Sequence, residues 1–345
     1  MNRIAVLGSA TMDLVVRQPR LPRLGETVFG SGFSAVPGGR GLNQAVAAAR
    51  LGAPVDFLGM VGDDVHGAQL RRVLTNEGID SEGLEASAEP TGTAHISVVD
   101  SGEDSTVVVP GANAELTSLS VTQRDVIARA AFLVLQCELP VSVLAEGLAA
   151  ARAAGALTVF TPAPAVAPGV APGVALPDGF LDRVDLVVPN RLEAAHLTGE
   201  SDPVRAAEAL SAGGRWAIVT LAAEGAVVAF DGAVLGLAPA RPARVVDRAA
   251  VGDTFVGALV ARLAAGGAAG VQRGVQRGSA AGAELAGGAG SGTAGGAEPL
   301  QAGGITEAQM IDAVRWATVA ASVSVTRPGA TTSMPTLAEV AAILA

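Results

Sequence analysis

Apolar runs of strand length recur along the chain at 4–8, 55–62, 131–138, 156–160, 184–189 and 216–221, with little polar alternation inside them. Strands buried on both faces read this way, as in a parallel sheet covered by helices. Between the runs, apolar residues fall at helical spacing. Helices are predicted at 45–51 (stopped by Gly52), 67–76 (Leu70, Val73 and Leu74 on one face), 141–154, from Asn190 to near Gly199, 254–264 and 306–325. Strands alternating with helices predict an α/β fold, a doubly wound and mostly parallel sheet flanked by helices.

Two stretches break the pattern. Residues 14–36 carry prolines, glycines and short alternating runs such as Glu26-Thr27-Val28-Phe29-Gly30, and 91–109 alternates on either side of a turn at Ser101-Gly102-Glu103-Asp104. They predict a small antiparallel sheet, formed by about 13–38 and 91–110, standing off the main sheet as a lid. The run 216–221 turns back through Gly225 into 226–230 as a hairpin.

Composition narrows the partners. The 345 residues are 50% hydrophobic and 16% charged, enough to bury a sizeable core, and we read them as one α/β domain over 1–345. The net charge is −10 and the 23 Lys and Arg residues are scattered, which argues against nucleic acid or an anionic membrane as partner. The first strand starts too early for a signal-peptide core, so the expected location is cytoplasmic. The uncharged stretch 153–177 contains five prolines, Pro162, Pro164, Pro168, Pro172 and Pro177, and cannot be a membrane span. A tandem repeat at 167–174 reads as a surface insertion, and the Gly- and Ala-rich segment 266–304 as a disordered loop away from the chemistry. The single cysteine, Cys137, lies in an apolar strand context and reads as structural.

Candidate chemistry gathers at strand ends. Asp13 follows the first strand and Glu138 ends the run 131–138, where a parallel sheet opens its ligand crevice; an ordinary loop role for Asp13 weighs about equally. Pro37-Gly38-Gly39-Arg40-Gly41-Leu42-Asn43-Gln44 leads into a helix, with glycines for close backbone approach and Arg40 and Asn43 as donors. Asn190 and Glu193 are spaced either as a capping box or as outer oxygens of a hydrated Mg²⁺. Asp63, Asp64 and His66 lack further ligands at metal spacing and read as turn or capping residues; His196 reads as packed or surface. Thr220 and Gly225 either line a phosphate or simply close the hairpin. Around Asp247-Arg248-Ala249-Ala250-Val251-Gly252-Asp253-Thr254, a small-residue turn opens a helix whose free N–H groups suit an anion. On its own, Asp253 reads first as a helix cap and second as an acid beside that anion site.

The chain resembles the ribokinase-like (PfkB) carbohydrate kinases. The resemblance rests on Gly38-Gly39-Arg40-Gly41-Leu42-Asn43-Gln44-Ala45, Gly111-Ala112-Asn113-Ala114, Thr161-Pro162-Ala163-Pro164-Ala165, Asn190 with Glu193, Ala250-Val251-Gly252-Asp253-Thr254-Phe255 and Thr326-Arg327-Pro328-Gly329-Ala330, in family order. It implies transfer of the ATP γ-phosphate to the primary 5-hydroxyl of a pentose, D-ribose first, with Asp253 as general base and the N–H groups of Ala250, Val251 and Gly252 as anion hole. It further implies sugar contacts from Thr11, Asp13, Gly39, Arg40, Asn43, Glu138 and Asp253. The Mg·ATP side falls to Asn190, Glu193, Thr220, Gly225 and Gly252, and Thr318 to the adenine. A monovalent cation, K⁺, would sit among Asp247, Ala249, Ser324, Arg327, Gly329 and Ser333. Apart from the resemblance, an exposed edge of the lid sheet predicts a lid-to-lid homodimer. Arg40 replaces the family's usual Lys and Thr11 its frequent Asn, which keeps fructose or a nucleoside as alternative substrates. Pro328 and Ser324 also alter the cation loop. A non-catalytic sugar-binding regulator is the alternative from another class.

Overall fold

The computed structural model describes residues 1–164, 176–266, 301–302 and 304–345; the 167–174 repeat and nearly all of 266–304 lie outside them. In chain order the elements are β1 (Ile4–Leu7), β2 (Thr11–Gln18), β3 (Gly32–Gly38), α1 (Arg40–Arg50), β4 (Val55–Gly62), α2 (Val65–Asn76), β5 (Leu84–Ser87), β6 (Thr93–Val99) and β7 (Asp104–Val109). There follow α3 (Ala112–Glu115), α4 (Val121–Ala128), β8 (Phe132–Gln136), α5 (Val141–Ala154), β9 (Leu157–Thr161), β10 (Leu186–Val187), α6 (Arg191–Thr198) and α7 (Pro203–Ser211). The described chain closes with β11 (Trp216–Thr220), β12 (Ala226–Phe230), β13 (Ala233–Ala238), α8 (Val251–Ala265), α9 (Glu307–Ser324) and α10 (Leu337–Leu344).

The main sheet has nine strands in the order β13-β12-β11-β10-β9-β8-β1-β4-β5. It is parallel from β11 to β5, and β12 and β13 are antiparallel at one edge. Alternate side chains of each strand enter different cores. Ile4 and Val6 of β1 join α1, α8 and α9 on one face, while Ala5 and Leu7 join α4, α5 and α7 on the other. This double burial is why the strands read as unbroken apolar runs.

A second sheet, β3-β2-β6-β7, stands apart. Its β2–β3 and β6–β7 pairs are antiparallel and its central β2–β6 pair is parallel. Glu26-Thr27-Val28-Phe29-Gly30, whose alternation predicts a strand, is instead irregular chain. A short alternating run forms a strand only where a neighbour pairs with it, and here the partner of β2 is Gly32–Gly38.

Two further differences bear on the site. Helix α1 begins at Arg40, five residues before the predicted 45–51, so that Arg40, Asn43 and Gln44 ride on its first turns. Strand β5, which pairs in parallel with β4, has no unbroken apolar run to announce it and buries only Leu84. Among the described residues, no helix is long and apolar enough to cross a membrane.

Candidate active site

The carboxyl ends of the central strands open onto one crevice, and α1 and α8 frame it. Gly39 caps α1 with φ of 93°, a left-handed conformation, and a Cβ there would stand 2.8 Å from the Ser9 carbonyl oxygen. Only glycine lets the turn press against the end of β1. Deeper down, a Cβ on Gly257 of α8 would meet Ala47 Cβ at 2.5 Å and the Gln44 carbonyl oxygen at 2.6 Å. This close crossing of α1 and α8 brings Asn43 and Gln44 to Asp253.

Asp253 is in the first turn of α8 and only 5% exposed, but it does not cap the helix. The N-cap is Ala250, held left-handed at φ of 53°, with no side-chain cap bond. The capping reading of Asp253 is therefore corrected: tertiary partners take both of its oxygens. Asn43 Nδ2 donates to Oδ2 and Gln44 Nε2 to Oδ1, each at 3.1 Å, and Arg40 Nη1 lies 3.9 Å from Oδ1. The N–H groups of a first helical turn have no acceptor within the helix. Gly252 leaves the space above them open, since a Cβ there would touch nothing within 4 Å.

Glu138 stands opposite. Its carboxylate accepts from the Ser9 hydroxyl and, at 2.9 Å, from the Arg40 backbone N–H, while Arg40 Nε lies 3.8 Å from its other oxygen. Burial pushes the Glu138 pKa up, against the pull of Arg40 and Ser9. Asp13 completes the ring of acids; Thr11 Oγ1 donates to it at 2.9 Å. Burial, reinforced by the Glu138 and Asp253 charges, raises the Asp13 pKa to about 6. Burial works against the Arg40 charge, but Asp253 and Glu138 outweigh it and raise its pKa. Asn43, 6% exposed, keeps its Oδ1 without a hydrogen-bond partner among the described residues.

Further along the sheet, Asn190 and Glu193 form the capping box of α6: the Glu193 N–H donates to Asn190 Oδ1 at 2.9 Å and the Asn190 N–H to Glu193 Oε2 at 2.8 Å. Burial raises the Glu193 pKa, and its charge is felt at Arg40. Thr220, at the end of β11, bridges to Asn190. Gly225 has φ of 108° and a Cβ there would collide with the Ala238 carbonyl oxygen at 2.0 Å, so the hairpin requires glycine at this point. Thr318 on α9 turns its hydroxyl to the Val314 carbonyl at 2.8 Å.

Behind α8, Asp247 joins two segments, accepting from the Ala249 N–H at 2.9 Å and the Gly329 N–H at 2.8 Å. Ser324 and Ser333, both fully buried, share a hydrogen bond of 2.8 Å, and Thr254 Oγ1 donates to Ser324 Oγ at 3.3 Å. The Arg327 guanidinium points away to Glu339, so only its backbone oxygen remains for a cation. These oxygens suit a monovalent cation chemically, with carbonyls rather than the occupied Asp247 carboxylate as the available donors. Asp64 caps α2 through the Gly67 N–H at 2.7 Å, as its turn setting suggests. Cys137 is buried, and burial pushes its thiol up to about 12, which leaves it inert. No cluster of three or more His, Cys, Asp or Glu residues is arranged to hold a metal among the described residues.

Sequence reasoning missed three residues here. Ser9 and Gln136 lie at or just past strand ends with no motif of their own, and Gln44 sits inside a recognised motif but reads only as part of the turn before the helix predicted at 45–51. Asn113, quoted there only as a motif member, pins the start of β2: its Oδ1 accepts from the Ala10 N–H at 3.2 Å and its Nδ2 donates to the Ala10 carbonyl at 3.0 Å.

Residues 1–298 match the model of the pfkB family carbohydrate kinase. Ribokinase of Haemophilus influenzae is 32% identical over 97% of this chain and 96% of that protein. Among solved structures, ribokinase of Thermotoga maritima superposes with a TM-score of 0.79 at 26% identity, covering 100% of this chain and 99% of that one. Arabidopsis thaliana ribokinase, solved with ribose and ATP, superposes with a TM-score of 0.78 at 25% identity, covering 99% of this chain and 98% of that one.

Proposed function

The chain belongs to the pfkB family of carbohydrate kinases, and from that premise we propose that it is an ATP-dependent ribokinase, phosphorylating the 5-hydroxyl of D-ribose. One observation carries the assignment of roles: a nearly buried carboxylate, Asp253, stands in the first turn of α8 beside open space, between Arg40 and the amides of Asn43 and Gln44. In this reading Asp253 takes the proton of the sugar 5-hydroxyl as its oxygen bonds to the γ-phosphorus. The bond from that phosphorus to the β–γ bridging oxygen breaks, and ADP leaves. The N–H groups of Ala250, Val251 and Gly252 receive the negative charge of the phosphoryl group in transfer.

Asp13, Glu138, Asn43, Arg40, Gly39 and Thr11 hold the sugar hydroxyls, and the unpartnered Asn43 Oδ1 supports this, since it awaits a donor. Glu193, Asn190, Thr220, Gly225, Gly252 and Thr318 face the nucleotide. Mg²⁺ would be held by the ATP phosphates and, through water, by Glu193 and Asn190, and would neutralise phosphate charge. K⁺ would be held by oxygens of Asp247, Ala249, Ser324, Arg327, Gly329 and Ser333 and would strengthen the positive field at the start of α8.

The small sheet is read as a lid that also joins two copies of the chain. Its pairing register sets Phe33, Val107 and Val109 on the face opposite Asp13, and they are 69%, 65% and 49% exposed.

ADP release measured over D-ribose, 2-deoxyribose, D-fructose and adenosine, with and without K⁺, tests the substrate. Turnover on another sugar but not on D-ribose overturns it. Asp253→Asn is expected to lower kcat by about 10²- to 10⁴-fold while D-ribose binding persists; unchanged turnover removes Asp253 as base.

A further inference from the structure

A line of buried side chains runs from the end of β8 to the first turn of α8. Gln136 is fully buried, and its Nε2 donates to Gln44 Oε1 at 2.8 Å. Gln44, 1% exposed, donates from its own Nε2 to Asp253 Oδ1 at 3.1 Å. A primary amide donates at one end and accepts at the other. The orientation of Gln44 therefore decides whether Asp253 meets an N–H or a carbonyl oxygen. Half a turn of that amide would set its oxygen against the carboxylate, and Gln136 opposes the turn because its own NH₂ already faces Gln44.

The far end of the line points the same way. Gln136 Oε1 is buried without a hydrogen-bond partner among the described residues, and it stands where a Cβ on Gly8 would be 2.2 Å away. An unpaired buried acceptor is unfavourable. That cost fits a line whose polarity is set at the Asp253 end, by a carboxylate that demands donors. Four charged groups also face Asp253: Arg40, with Nη1 at 3.9 Å, and the acids Asp13, Glu138 and Glu193.

We propose that Gln136 and Gln44 are positioning residues for the reaction, holding the Asp253 carboxyl in place through the Gln44 donor on Oδ1 and leaving its remaining lone pairs for the sugar hydroxyl. The role rests on the reading of Asp253 as base. Neither glutamine needs to touch the substrate. As the hydroxyl proton arrives on Asp253, the Gln44 N–H stays on Oδ1, so the carboxyl keeps its orientation through the transfer.

Gln136→Glu tests this by replacing a donor with an acceptor of the same shape. Gln44 then turns to donate to the new carboxylate and presents its oxygen to Asp253, which favours a proton there. The expected result is a fall in kcat of about tenfold and a rise of the acid limb of the kcat/KM profile by about one pH unit, with KM for D-ribose within about twofold of the parent. Gln136→Met removes the donor without adding an acceptor and serves if the first variant does not fold; about a threefold fall in kcat with unchanged ribose binding is expected. A folded variant of either kind with parental kcat and acid limb overturns the proposal. Asp253→Asn is measured alongside. If it keeps turnover, the base assignment falls and this role with it; if it is inactive while the Gln136 variants behave as the parent, only the positioning role falls.

Discussion

Strands β8 and β7 are regular strands of similar length in opposite surroundings. Every residue of β8 is buried, and every residue of β7 is exposed. The main sheet is covered on both faces by helices, so its strands are held by packing and their ends are fixed points. The small sheet leaves every residue of β7 exposed and relies on its pairing register. The candidate site takes one acid from each region: Glu138 lies two residues past the end of β8, while Asp13 sits on β2 of the small sheet. In the proposed reading the base sits on the packed main body, whereas part of the sugar recognition belongs to the exposed small sheet.

Truncation should separate the two regions most sharply. Phe132→Ala, in the fully buried β8, is expected to cost about 3–5 kcal/mol of unfolding free energy, and Val107→Thr on β7 less than about 0.5 kcal/mol, both measured by denaturant titration. Comparable costs would mean that the small sheet is as tightly packed as the main one. A smaller effect concerns assembly. Phe33→Glu should shift a dimer to monomer in sedimentation velocity with little change in melting temperature, and a parent chain that is monomeric at the outset would overturn the lid-to-lid reading.

The subtlest expectation concerns Asp13. Its folded-state pKa of about 6 stands above the ordinary 3.8, so the native state holds the proton more tightly than the unfolded chain. The stabilisation this brings is full below the ordinary value and is lost as pH rises through about 6. Asp13→Asn should therefore raise the melting temperature relative to the parent at pH 8, and the gain should shrink toward pH 5. A gain that does not vary with pH would show that Asp13 is not a strained buried acid.

Much of this was open to reading from the chain. Runs such as 131–138 read as buried strands, because an unbroken apolar stretch from Ala131 to Leu135 is too short for a helix. Gly39 marked a turn pressed against the end of β1, and the small residues before Asp253 a turn with open space above it. Other features left no local trace. Glu26-Thr27-Val28-Phe29-Gly30 alternates like a strand and is not one, since pairing depends on a neighbour that the run itself cannot specify. Strand β5 owes its place to β4, with which it pairs, and its own pattern is mixed.

The alternation of strands and helices, the family motifs and the acids at strand ends are legible along the chain, because hydrophobic periodicity and turn chemistry are local properties. What Asp253 does with its oxygens depends on packing in three dimensions. Locally an acid in a first turn is a cap, but the close crossing of α1 and α8 brings two amides to it from more than two hundred residues away in the chain, and Gln136 stands behind one of them. Hydrogen-bond partners are chosen by distance in space, and no pattern along the chain encodes that distance.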